Sequence, residues 1–203
     1  VDPKFIESVR QEAQEKGEMS AFMQEYELEF RSVEGAVYPE FNRDVHVIKP
    51  SEVPTEGTIY CSIDFGWAED HPTAVVFVLI DANQDWYVFD EICVSKTKLE
   101  DTIEVIKQKL GDKRMVSIVG DSARPDLIDY MATAGMPIVP APKGANSVAS
   151  GIQLVGQMLV PREQLIGKPK PKLFFSSTCK KGIPQMEGYR YNSKKLDRKV
   201  SET

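Results

Sequence analysis

The stretch Thr58-Ile59-Tyr60-Cys61-Ser62-Ile63-Asp64-Phe65-Gly66-Trp67 reads as a buried-looking apolar strand that delivers one carboxylate at its end, with a glycine two residues later. Met115-Val116-Ser117-Ile118-Val119-Gly120-Asp121 repeats the arrangement. Two carboxylates side by side repel unless a cation sits between them, and hard oxygen donors select Mg2+ or Mn2+ over softer metals. Paired ions of that kind hydrolyse phosphodiesters, one activating water and the other stabilising the leaving oxygen. Asp64 and Asp121 are therefore the candidate metal-holding and catalytic residues, and a metal-dependent nuclease is the leading expectation. Asp70, in the turn before the next strand, either bends back as an auxiliary carboxylate or helps form the hairpin. Asp121 also fits a cap ahead of Pro125.

Working outward, Thr73 to Ile80 is apolar and β-branched, the turn residues Asp81 to Asp85 follow, and Trp86 to Ile92 returns, which makes a meander. Leu99, Ile103, Ile106 and Leu110 have helical spacing, with Gly111 as the stop. After the strand at 115–121, Pro125 opens a helix to about Thr133, Met136 to Pro140 is a short fifth strand, and a helix over 147–159 carries Val148, Ile152, Val155 and Leu159 on one face. Leu173-Phe174-Phe175 is short and strand-like. This β-β-β-α-β-α-β-α order predicts an α/β fold of ribonuclease H-like architecture, a mixed sheet of about five strands with helices on its faces. Two helices, over 3–16 and 21–27, precede it, and the Pro- and Gly-punctuated residues 34–54 read as a linker or as an edge packed on the next domain. The expected division is thus an N-terminal helical linker segment over 1–56 and the sheet domain over 57–203.

The net charge of −6 looks unsuited to a nucleic-acid partner until it is split: residues 161–203 carry 11 Lys/Arg against 4 Asp/Glu, and residues 1–160 carry 14 against 27. The basic third can face a polyanion while the acidic remainder stays solvated. Lys143, at the start of Lys143-Gly144-Ala145-Asn146-Ser147, can meet a phosphate at a helix N-terminus. Lys180, Lys181, Arg190, Lys194 and Lys195 interleave with Phe174, Phe175, Tyr189 and Tyr191, aromatics that read as core rather than as base-stacking platforms. Of these cations, Lys143, Lys180, Lys181 and Arg190 are the candidate DNA contacts. Cys61, Cys93 and Cys179 have neither zinc-site nor disulfide spacing and read as small buried hydrophobes in a reducing compartment. His46 and His71 are assigned no role.

No run of about 18 apolar residues occurs, so no membrane span is expected, and the acidic amphipathic N-terminus is unlike a secretory leader. Val1 stands where an initiator Met would, the mark of a fragment or a processed product. Asp64-Phe65-Gly66 spells the metal-binding triplet of protein kinases, but the rest of the kinase set and any phosphate loop for ATP are missing.

In order along the chain, these residues resemble the nuclease domain of the large terminase subunit of tailed bacteriophages. Phe22-Met23-Gln24-Glu25-Tyr26 with Phe30, then Gly35-Ala36-Val37-Tyr38-Pro39-Glu40-Phe41, is similar to the segment joining that family's ATPase and nuclease domains. Ile63-Asp64-Phe65-Gly66-Trp67 with Asp70 and Thr73-Ala74 resembles its first metal-binding strand, and Gly120-Asp121-Ser122-Ala123 with Pro125 and Ile128 the second. Lys143-Gly144 with Ser147-Val148 and Gly151-Ile152, and Ser176 through Tyr191, resemble the later loop, helix and C-terminal region. The resemblance implies that Asp64 and Asp121 are metal ligands for two Mg2+ or Mn2+ ions and that Asp70 assists. It implies endonucleolytic cutting of concatemeric viral double-stranded DNA during packaging, in the host cytoplasm at the capsid portal. The implied partners are the ATPase domain of the same polypeptide, the small terminase subunit and the portal. The family's further acidic residue, in an Asp/Asn-His-x-x-Asp-Ala-type helix, has no match here: after Tyr191 only Asp197 and Glu202 are acidic. Rival readings are a junction resolvase or other ribonuclease H-like nuclease, an actin- or sugar-kinase-type phosphotransferase, and a non-catalytic docking module of a DNA motor.

Overall fold

The structure is a computed structural model and describes residues 35–144, 147–164 and 167–191. The two helices expected over 3–16 and 21–27 lie outside the described residues. Two compact units divide the chain: the larger spans Asn42–Pro184, and the described parts of the smaller are 35–41 and 185–191. Residues 43–52, on the N-terminal side of the division the sequence suggests at 57, cluster with the larger unit.

That unit is built on β1 (Val47–Ile48), β2 (Thr58–Asp64), β3 (Thr73–Ile80), β4 (Trp86–Val94), β5 (Met115–Gly120), β6 (Ile138–Pro140) and β7 (Leu173–Ser176). Its helices are α1 (Arg43–His46), α2 (Leu99–Leu110), α3 (Pro125–Thr133) and α4 (Ser147–Leu159), and α5 (Gly182–Gly188) includes residues of both units. Among the described residues the sheet has seven strands in the order β1-β7-β4-β3-β2-β5-β6. The three-stranded meander is antiparallel, and β5, β6, β7 and β1 add in parallel, which makes the sheet mixed as expected. The strand count exceeds the expected five because the short β7 pairs with β4, and Val47 and Ile48 pair with Phe175 and Ser176 at the edge. None of the helices among the described residues is long and apolar enough to cross a membrane.

Strand alternation decides which face is core. Ile59, Cys61 and Ile63 of β2 and Val75, Phe77 and Leu79 of β3 point one way, with Ile118 of β5, and are almost fully buried. Ile103, Ile106 and Leu110 of α2 and Ile128 and Met131 of α3 close over them in one cluster. The alternate residues of β2, Ser62 and Asp64, are exposed on the other side. The period of two thus puts Asp64 on solvent because it puts Ile63 in the core.

His46, without a role in the sequence, is a strut. Only 1% exposed, it places Nε2 2.7 Å from the Leu159 carbonyl at the end of α4, and its Nδ1 accepts from the Asn42 N–H at 2.9 Å. The cysteines are free: Cys61 and Cys179 are buried, and Cys93 is partly so. Burial pushes both buried thiols up to about 12, with Glu91 and Asp90 adding to the effect at Cys179, so they behave as small hydrophobes.

At the start of β4, Asp85 is fully buried between two ammonium groups: Lys170 bonds Oδ2, and Lys172 lies 2.8 Å from Oδ1. Burial alone would raise its pKa. The hydrogen bonds and charges of Lys170 and Lys172 outweigh that and hold it below the ordinary value of 3.8. A depressed carboxylate pKa contributes stability above the unfolded-state value that is lost as pH falls through the folded one. Asp85→Ala should therefore cost about 2 kcal/mol near neutrality, less than a fully enclosed pair because both lysines reach solvent. In urea denaturation the gap between wild type and variant should close as the pH drops below about 4.

Candidate metal and nucleic-acid site

β2 and β5 run parallel with Ile63 beside Gly120, so the next residue on each strand is a candidate aspartate. Neighbouring strands lie about 4.8 Å apart, which starts Asp64 and Asp121 from adjacent backbone positions at one end of the sheet. The register survives an irregularity: Ile59 pairs with Met115 but Tyr60 with Ser117, which leaves Val116 unpaired and 52% exposed. Gly120 is where three side chains close in, since a Cβ there would meet Ile138 Cδ1 at 3.0 Å, Phe65 Cε2 at 3.4 Å and Ile128 Cγ1 at 3.5 Å.

The two carboxylates have different surroundings. Asp64 is exposed, and among the described residues no donor or cation engages it. Asp121 is half-buried; its Oδ1 accepts the Ala123 N–H at 2.9 Å, and its carbonyl accepts the Arg124 N–H at 3.1 Å as the chain turns into α3. Asp121 thus shapes the turn ahead of α3 rather than capping the helix, whose cap position is Arg124 with no side-chain bond, and one of its carboxylate oxygens is uncommitted. Asp121 lines an open cleft of about 690 Å3 beyond the strand ends, together with Phe65, Trp67, His71, Arg124 and Leu127. Asp64 does not line it.

Two unneutralised hard carboxylates on adjacent strands fit a divalent cation of the Mg2+ or Mn2+ class. Among the described residues they are not joined by a third His, Cys, Asp or Glu that would make a three-ligand group. Asp70 is exposed in the β2–β3 turn and is not gathered with the pair.

That turn is pinned tightly. The Thr73 hydroxyl donates to the Gly66 carbonyl at 2.6 Å and accepts the Gly66 N–H at 3.3 Å, while the Lys96 N–H reaches the Trp67 carbonyl at 2.7 Å. A Cβ on Gly66 would stand 2.2 Å from the His71 carbonyl oxygen and 2.4 Å from that of Pro72.

The candidate DNA contacts are dispersed. β6 ends beside β5, with Gly120 paired to Pro140 and the Ala141 N–H donating to Gly120, so Lys143 follows at the carboxylate end of the sheet and is exposed. Lys180 and Lys181 are exposed in the turn before α5, where Glu91 accepts the backbone N–H groups of Lys181 and Gly182 at 2.6 and 2.8 Å. Glu91 is two residues short of Cys93, which shares its rung with Ala74 and Asp64. Arg190 belongs to the smaller unit, where it pairs with Ala36 and donates to the carbonyls of Glu187 and Tyr189.

No family model matches the chain, and no curated protein matches it. Solved structures do. The nuclease domain of the P22 large terminase superposes with a TM-score of 0.62 at 19% identity over 79% of this chain and 81% of that one. The fold is that of a large-terminase nuclease domain. The nuclease domain of the large terminase from the bacteriophage SPP1, with bound Mn, gives 0.56 at 20% identity, over 73% and 80%. The large terminase of a thermophilic bacteriophage, in complex with ATP-gamma-S, gives 0.66 at 20% identity over 81% of this chain; this chain spans 40% of that one. The ribonuclease H-like expectation is thereby met.

Sequence reasoning passed over Trp67, whose 58% exposure only the tertiary structure reveals. The closeness at Gly66 gives a stability test of this edge. Gly66→Ala should destabilise the domain by about 3 kcal/mol through forced backbone displacement, read as a lower urea midpoint at unchanged slope.

Proposed function

We propose that this chain is the nuclease part of a phage DNA-packaging motor, a metal-dependent endonuclease that cuts concatemeric viral double-stranded DNA. The observation that carries the reading is the pairing of Ile63 with Gly120, which brings Asp64 and Asp121 to adjacent strand ends on a terminase-nuclease fold. Asp64 and the free oxygen of Asp121 would hold the Mg2+ or Mn2+; in a two-ion site, a further carboxylate would complete the set. When bound, the metal supplies a nucleophile at neutral pH and charge for the leaving oxygen. The SPP1 domain, which carries Mn, lends support to that class of ion.

The chain's own residues do the rest. The Thr73 clamp on Gly66 fixes the backbone just after Asp64, and the Asx-type bond to Ala123 orients Asp121, so the Asp121 carboxylate is preorganised while that of Asp64 is held only through its strand. Lys143, exposed at the same end of the sheet, engages a backbone phosphate without reading sequence. Lys180, Lys181 and Arg190 extend the contact if the strand follows them. The proposed partners are the ATPase domain of the same polypeptide, the small terminase subunit and the portal, with the work done in the host cytoplasm.

Supercoiled plasmid tests the reading. With Mg2+ or Mn2+ the chain should nick it, and Asp64→Ala or Asp121→Ala should slow nicking by more than about a hundredfold, beyond the loss typical of residues that merely support a ligand. Intact plasmid across both metals and a range of salt would favour the docking module instead. Lys143→Ala should weaken duplex binding evenly across sequences and reduce the slope of log affinity against log salt by about 1, measured by anisotropy without metal.

A further inference from the structure

The cleft beside Asp121 has one wall that the cutting chemistry does not use. Trp67 is 58% exposed, yet its carbonyl accepts the Lys96 N–H and the preceding Gly66 is clamped by the Thr73 hydroxyl. Single exposed apolar side chains are ordinary, and what distinguishes Trp67 is its place on the wall of a cleft that Asp121 also lines. Phe65, two residues earlier along the chain and also lining the cleft, is only 7% exposed. Arg124, which also lines the cleft just before α3, donates from Nε and Nη2 to the Asp126 carboxylate at 3.0 and 2.8 Å. His71 and Leu127 contribute further lining.

We propose that this cleft takes an unpaired nucleobase of the DNA strand being cut, stacked on the Trp67 indole. The cleft volume of about 690 Å3 lies within the range of sites that enclose a nucleotide-sized ligand. Asp121 belongs both to the cleft and to the proposed cutting edge, while Asp64 stands outside the cleft, so a base seated there adjoins the strand at Asp121. Stacking on an aromatic face is sequence-tolerant because every base presents a π surface, and it suits an enzyme that contacts backbone rather than base edges. The clamp explains why the platform is useful: an indole on a backbone already fixed in place loses little freedom on binding. The inference rests on the nuclease reading and names the strand contact of that same site.

The chain has two tryptophans, Trp67 and Trp86, so Trp86→Phe leaves Trp67 as the sole indole reporter. Titrating that variant, in EDTA, with a single-stranded oligothymidylate should quench its emission. Trp67→Ala should weaken oligothymidylate binding about tenfold by anisotropy, the size expected for loss of one stacked base. Trp67→Phe should recover most of the affinity, and blunt duplex binding should change less. Unchanged emission at saturating oligothymidylate, or equal affinity in Trp67→Ala, overturns the inference; if metal-dependent nicking still needs Asp64, the nuclease reading survives that result. Quenching and a Trp67→Ala defect in a chain that nicks with neither metal would uphold the base-binding cleft and sink the nuclease reading.

Discussion

The parallel pairing of β2 with β5 is the constraint on which the site depends. Its register is set by burial: Cys61 lies beside Ile118 and Ile63 beside Gly120, all facing the core that α2 and α3 cover. A slip of one residue in β2 would turn Asp64 inward and Ile63 out. An unpaired carboxylate in that apolar cluster would cost several kcal/mol, so the core enforces the placement of the acid. The irregularity at Val116 belongs to the same constraint. It absorbs one residue early in β5, so that Ser117 to Gly120 match Tyr60 to Ile63 and the two aspartates emerge level.

Beyond the strand ends, the two candidate carboxylates are held by different means. Asp121 is tied into the turn that starts α3, and its position follows from the fold. Asp64 is tied to nothing among the described residues except its own strand, and the Gly66–Thr73 clamp stiffens the chain just after it. A metal site built on this pair would have one fixed ligand and one whose rotamer the cation selects.

Much of the fold is legible in the amino-acid order alone. The strands at 58–64, 73–80 and 86–92, the last extending to 94 in the structure, and the helices at 99–110, 125–133 and 147–159 declare themselves because each runs long enough for its period to show. The aspartates at 64 and 121 are legible for the same reason, each standing at the end of a strand whose pattern is plain. What stays hidden is made by distant partners. β1 is two residues whose strand character comes only from Phe175 and Ser176, and His46 acquires its meaning from a carbonyl 113 residues away. α5 is short and holds only Ile183 as a buried anchor, too little for a periodic signal. Trp67 carries no periodic signal because it stands in the turn after β2, and its exposure shows only in the folded chain.

The basic C-terminal third shows why a charge count is a poor map of a binding surface. Lys170 and Lys172 contribute to the positive balance of residues 161–203, yet both are spent on Asp85. They also sit at the wrong end. Leu173 pairs with Trp86, Trp86 with Ile80 and Ile80 with Thr58, which is the start of β2 and about 20 Å along the sheet from Asp64. A phosphate held at the carboxylates is therefore beyond a Debye length of that pair at ordinary ionic strength, and the charge already cancelled by Asp85 weakens it further. Lys143, which lies in the acidic remainder of the sequence, stands at the end where the chemistry would occur. Position in the sheet, set by parallel pairing, decides which cations can matter to DNA, and it does so against the trend of the linear charge.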